Sequence, residues 1–430
     1  MQISNNTNNC EKFNSALKFL NFTKELNVIM VFIIILIGLF GNILAILVFI
    51  QKRFRKKSTE VFLLVLAISD GLFLITHFFE DTLRTYIDFY VRNNRAMIPF
   101  PYQHCNPNVT IVDSSKKNEQ SIYELINITD KFEVTCVLVN YFRYFLRFIS
   151  AYIITLFTIQ RTISIYKPIY QNKFSSPELA WKVVLSLIFI GGLFCSFVPY
   201  FFHLQKDSSN AVTVVYCDID RNREKLYYYT RATIFYITII MLIPITAIIV
   251  SNSLIIIQIY KARKKRKQLF SIDKINKQKK LRRNYSIQET NFNNQHDDIL
   301  SDQTFDIDDI DERTKPYVLR HFLTIRFKKF NDNSQRVTHM LVLMSLSFAI
   351  LNLPYFVTWC MFFYNEAFKN KNVSDLELTG FLHSKYFFGF INIAETIYIS
   401  NYGIHFYLYC ASGKQFRRYL RTSLFSSNTD

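Results

Sequence analysis

Glycine and proline are scarce, nine of each in 430 residues. A chain so poor in turn formers is not assembled from many short strands joined by tight turns. The seven cysteines lie too far apart for a zinc ribbon or a CxxC motif, and none has a histidine at ligand spacing. The apolar stretches hold no HExxH, no GxSxG and no paired His or Asp constellation with metal spacing, so neither a metal site nor an enzyme is expected. Internal repeats and paired broken helices are missing too, which removes the best sequence pointer to a membrane transporter, the rival class. Acid is outnumbered, with 33 Asp and Glu against 51 Lys and Arg and a formal net charge of +18. The excess sits in short runs beside apolar stretches, as membrane-flanking charge does, and nucleic acid is not the expected partner.

Half of the residues are hydrophobic and 17% are aromatic, which with few breakers suits long membrane helices. Residues 1–27 are polar and read as an extracellular N-terminus with no cleavable signal peptide ahead of it. They carry glycosylation sequons at Asn5 and Asn21, and further sequons stand at Asn108, Asn127 and Asn372 in segments that topology also places outside. Val28–Ile50 is an apolar run of spanning length, and the block QKRFRKK after it puts that loop in the cytoplasm. Thr59–Phe79 returns outward with Asp70 near its middle, and an ionisable group at that depth is a functional candidate. Further spans are read at Ala180–Phe202, Thr230–Tyr260, Arg336–Phe363 (interrupted by Pro354) and Phe381–Cys410. Residues 261–335 are basic, then acidic, then basic, with little helical period, and read as a largely disordered third cytoplasmic loop. Residues 412–430 hold SGKQFRRYLRTSLF, a short amphipathic basic helix fit to lie on the inner leaflet, and a tail.

The third span, CVLVNYFRYFLRFISAYIITLFTIQRTISIYKP from Cys136 to Pro168, organises the rest. Cys136 and Arg161 are about 37 Å of helix apart, somewhat more than a hydrocarbon core of about 30 Å, so they mark opposite boundaries. Arg143, Arg147, Ser150 and Arg161 fall on one face. Arginine costs about 2.5–3.5 kcal/mol at the centre of a lipid-exposed helix, so that face turns into a bundle. Cys136 and Cys217 both fall outside, where disulfides persist, and a bond between them is expected against the alternative of two free thiols. Cys10 and Cys105 share that compartment and are candidates for a second bridge. The fold class is all-α membrane, a seven-transmembrane helix bundle with a short amphipathic cytoplasmic helix, spanning residues 28–411.

Several short motifs occur in a specific order: Gly41-Asn42, Leu66-Ala67-Ile68-Ser69-Asp70, Cys136 with Cys217, Pro244, and Phe348 six residues before Pro354. Together they resemble the rhodopsin-like (class A) G-protein-coupled receptors over nearly all of residues 28–425. Leu351-Asn352-Leu353-Pro354, together with Asn252, is similar to the invertebrate FMRFamide-type peptide receptors. The departures are Gln160-Arg161-Thr162, where the acid beside the arginine is missing, and His405-Phe406-Tyr407-Leu408-Tyr409, which keeps only the tyrosine of the family's seventh-helix motif and lacks its proline.

The resemblance implies a multi-pass receptor of the plasma membrane with its N-terminus outside. It would bind an extracellular ligand, read here as a neuropeptide or alternatively an acidic small molecule, and activate a heterotrimeric G protein. It places ligand contacts at Arg143, Arg147, Arg231, Phe356 and Glu395, with Arg143 and Glu395 able to neutralise each other across the bundle. Coupling residues are Arg161, Asn252 and Tyr409, and the missing acid beside Arg161 implies raised basal activity. A polar core is expected from Asn42, Asp70, Ser150, Asn401 and His405. No cofactor is expected beyond a sodium ion at Asp70. His405 stands against that ion, because an imidazole that takes a proton near neutral pH can itself become the counter-charge and make agonist affinity pH-dependent.

Overall fold

The computed structural model describes residues 2–51, 58–86, 128–166, 176–209, 212–220, 226, 238–261, 264, 340–361, 377–412 and 414–425. Helix α1 runs over Gln2–Phe49. Helix α2 covers Ser58–His77 and continues through a π turn, Phe78–Thr82. Helix α3 is Glu133–Tyr166, and α4 is Pro177–Phe194, prolonged by short turns to Phe201. Helices α5, Thr238–Lys261, and α6, Met340–Met361, follow a hairpin of β1, Phe202–Ser209, and β2, Val212–Ile219. Helix α7 spans Glu377–Ser412 and α8 spans Lys414–Phe425. Among the described residues, α1 to α6 are long and apolar enough to cross a membrane. Helix α7, at 36 residues, is the seventh; its length is ample, but Glu395, Asn401, His405 and a run of tyrosines dilute its apolar character. The architecture is a seven-transmembrane helix bundle.

Residues 1–27, expected as a polar extracellular N-terminus, are helical and form part of α1 from Gln2 onward. No glycine or proline interrupts the chain before Gly38, and Ala16, Leu20, Thr23, Asn27 and Val31 recur at helical spacing against α7. Ala16, Leu20, Thr23 and Val31 are buried, and Asn27 Nδ2 donates to Asn392 O at 2.9 Å and to Thr396 Oγ1 at 3.0 Å. Asn21 therefore stands on a helix, and the hydroxyl of its sequon, Thr23, is buried and donates to Leu20 O. Asn21 itself is exposed on that helix. The side chains of Asn5 and Cys10, and all of Asn108, Asn127, Asn372, Cys105, Arg231 and residues 265–335, lie outside the described residues.

Where α1 crosses α7 the two backbones meet at Gly38 and Gly403. A Cβ on Gly38 would stand 2.8 Å from Gly403 Cα and 2.7 Å from Leu74 Cδ1, and a helix backbone cannot give way as a side-chain tip can. Small residues at such crossings allow the close packing that holds helices together in lipid. Gly38→Ala should therefore cost about 1–3 kcal/mol by overpacking, read as a drop of several degrees in the melting temperature of the purified chain. An unchanged melting temperature would mean that the helices part without penalty.

The hairpin lies beside the start of α3. Leu204 pairs with Cys217 in its antiparallel register, and Cys217 is disulfide-bonded to Cys136 on α3. Asp130 fixes the same strand from below, its Oδ1 accepting from Cys217 N at 2.7 Å and from Arg84 Nη2 at 2.5 Å. At the opposite end α8 is docked by Phe416, whose ring centroid lies 5.5 Å from both Phe49 and Tyr409. Arg417 Nη1 donates to Cys410 O and Ala411 O, satisfying carbonyls that the end of α7 leaves open.

Candidate functional site

Three polar groups lie along the bundle axis between the disulfide and α8. The middle one is built on Asp70, which has no exposure. Its Oδ1 accepts from Ser150 Oγ at 2.6 Å and its Oδ2 faces His405 Nδ1 at 2.7 Å. Asn42 Nδ2 donates to Tyr402 O at 3.0 Å, tying α1 to α7 beside it. Asn401 is also fully buried, and neither of its side-chain polar atoms has a hydrogen-bond partner among the described residues.

The group nearest the disulfide is charged. Arg143 Nη1 on α3 donates to Glu80 Oε2 on the π turn of α2, and both side chains are buried. One turn deeper, the Arg147 guanidinium lies over the rings of Phe73, at 5.1 Å, and Tyr398, at 5.2 Å. Such stacking suits a desolvated arginine. Tyr398 also stacks on Tyr355 of α6 with centroids 4.6 Å apart, and its hydroxyl meets that of Tyr402 at 2.6 Å. Beside these, His77, Asp81 and Glu395 gather around one point between α2 and α7.

The third group lies at the far end of α3. Arg161 Nη2 donates to Thr59 Oγ1, and Gln160 Nε2 to Ser58 Oγ at 2.5 Å. Both partners are on the first turn of α2. Across the bundle Asn252 of α5 exchanges hydrogen bonds with Ser345 of α6, at 2.9 and 3.2 Å.

Residues 120–392, well over half of the chain, match the family model described as 7 transmembrane receptor (rhodopsin family). The chain belongs to that family. It is a multi-pass membrane receptor of the G-protein-coupled class and not an enzyme. The matched residues begin after α2, so the landmarks at Gly41-Asn42 and Leu66–Asp70 lie outside them. No curated protein matches the receptor.

Several expectations need correction. The ion pair of Arg143 is with Glu80, while Glu395 gathers with His77 and Asp81. Glu80 and Asp81 escaped sequence reading because the second span was ended at Phe79, at the loss of apolar character. The π turn then carries the helix on and sends the acids inward. Asn252 and Tyr409, expected as coupling residues, are 2% and 1% exposed and fasten α5 to α6 and α7 to α8 in this conformation. Arg147 is likewise 1% exposed, shielded by rings. Phe356 is half-buried on α6.

A sodium ion at Asp70, implied by the family, does not fit these residues well. Ser150 and Asn401 supply oxygen atoms, but each carboxylate oxygen of Asp70 already has a partner, and one is an imidazole nitrogen. Whichever group carries it, a proton lies between His405 Nδ1 and Asp70 Oδ2, where a cation would need the oxygen. Agonist affinity of the native receptor should thus be the same in sodium and choline chloride, whereas His405→Asn should make it fall several-fold on adding sodium. Equal sodium effects in the two proteins would overturn this reading.

Proposed function

We propose that the receptor binds an extracellular peptide at the disulfide end of the bundle and activates a heterotrimeric G protein at the Arg161 end. It does so as a plasma-membrane protein with its N-terminus outside. The observation that carries this reading is the charged group under the hairpin. It contains acids Glu80, Asp81 and Glu395 against arginines Arg143 and Arg147. Both signs of charge among many aromatic rings suit a peptide better than a small ligand of one sign.

The balance also bears on the alternative. Sequence alone offered Arg143, Arg147 and Arg231 against Glu395, a setting compatible with a peptide or an acidic small molecule; among the described residues the balance differs. Glu80 and Asp81 reverse that balance, and Arg143 is already committed to Glu80. A free carboxylate entering here meets more acid than base, while an arginine or amine of a peptide finds a partner. The FMRFamide-type resemblance at Leu351-Asn352-Leu353-Pro354 points the same way. Membrane transport has no supporting feature.

The test is a second-messenger screen of cells expressing the receptor, run against amidated neuropeptides, amines and carboxylates. An amidated peptide bearing a basic residue should be active, and its analogue with that residue replaced by alanine should lose at least about tenfold in potency, the equivalent of about 1.4 kcal/mol. Activity confined to carboxylates would overturn the proposal.

A further inference from the structure

Helix α2 changes its winding at Phe78–Thr82, and π turns inside otherwise regular helices collect at functional sites. His77 precedes this one and Asp81 lies within it, and Glu395 of α7 gathers with them. One donor atom from each of the three lies within 4.8 Å of the other two. His77 Nε2 and Asp81 Oδ2 are 3.5 Å apart, close to the spacing of two ligands on a tetrahedral zinc whose bonds are about 2.0–2.2 Å. Glu395, with its longer side chain, supplies the remaining closure.

A second observation concerns the histidine itself. His77 is 1% exposed, its Nε2 is turned into the cluster, and its Nδ1 has no hydrogen-bond partner among the described residues. Its ring is oriented by stacking on Phe73, with centroids 5.7 Å apart and planes 18° from parallel. The imidazole is thus held in place with Nε2 facing Asp81 and Nδ1 unused among the described residues. Ionised carboxylates only accept, so two acids gathered at one point with an imidazole offer lone pairs to a cation and no donor of their own.

Of the neighbouring cations, Arg143 pairs with Glu80 and Arg147 lies over the rings of Phe73 and Tyr398, and both also stand near Glu395. The side chain of Asp81 is 34% exposed, so the cluster is open on one side. We propose that His77, Asp81 and Glu395 form a binding site for a divalent cation of the zinc class that clasps α2 to α7. An imidazole with two carboxylates is a zinc donor set, whereas calcium and magnesium prefer oxygen alone. Three protein donors leave a fourth position for water or a ligand atom. The site shares Asp81 and Glu395 with the proposed peptide cavity, and a test without agonist reads the cation alone.

The test uses the purified full-length receptor in detergent, without agonist. Zinc chloride at about a hundred times its Kd should raise the melting temperature by several degrees, and calcium and magnesium should not. Cobalt should give visible ligand-field absorption that zinc abolishes. His77→Ala and Glu395→Gln should each weaken the zinc effect at least tenfold, while His203→Ala, at the exposed His203–Glu133 pair, should leave it unchanged. If His77→Ala does not fold, Asp81→Asn carries the same comparison through the cobalt spectrum. No melting shift and no cobalt band in the native receptor would overturn the proposal. So would a native zinc response in His77→Ala or Asp81→Asn.

Discussion

Glu80→Ala should lower the stability of the receptor by about 3–5 kcal/mol, because it leaves the buried guanidinium of Arg143 without its ionic partner. This is the largest effect expected of a single substitution in the bundle, and loss of folded receptor from the membrane would be its cellular sign. Replacing both residues, Glu80→Met with Arg143→Met, removes the stranded charge and should recover most of the loss. Glu395→Ala, which leaves the Arg143–Glu80 pair in place, should cost clearly less. Melting temperatures of the variants in detergent decide the matter. If Glu395→Ala proves as damaging as Glu80→Ala, the ion pair has been assigned to the wrong acid.

Thr59→Ala should raise ligand-free signalling about tenfold. A hydrogen bond to a charged group contributes about 1.5–3 kcal/mol, and the bond from Arg161 to Thr59 holds the arginine against α2. Removing it releases the side chain toward the partner face, and each 1.4 kcal/mol is a factor of ten in the resting equilibrium. Gln160→Glu should act in the opposite sense. Its carboxylate would stand beside Arg161 and add an ionic restraint that the neutral amide, bonded to Ser58, does not provide. Basal second-messenger output at matched expression is the measurement. A Thr59→Ala receptor no more active than the native one would show that the restraint lies elsewhere.

The parts legible in the sequence were those that depend on a long run or a fixed spacing. Apolar runs marked the spans, the three- and four-residue steps from Arg143 to Ser150 marked the inward face of α3, and Asp70 stood out as an acid inside an apolar run. Three features were not legible, each for a local reason. The N-terminal extension of α1 buries small and polar groups such as Ala16 and Thr23, which no hydropathy window registers, though their helical spacing was there to be read. The hairpin was hidden because its first strand, with Gln205, Lys206 and Asp207, lacks the alternation that marks a half-buried strand. The inward turn of Glu80 and Asp81 depends on a single π turn, and no spacing rule for an α-helix anticipates it.

The absence of proline from α7 has a mechanical consequence. Glu395 and Tyr409 are on one unbroken helix, and between them Gly403 rests on Gly38 of α1. At about 1.5 Å per residue, Glu395 is about 12 Å from that contact and Tyr409 about 9 Å on the other side. A helix that cannot bend there tilts as a lever about a glycine fulcrum. A push at the ligand end then arrives at Tyr409 and the docked α8 in the opposite direction and at about three-quarters of its size. Distances from α1 to labels placed at the two ends of α7 should accordingly change with opposite sign when an agonist binds.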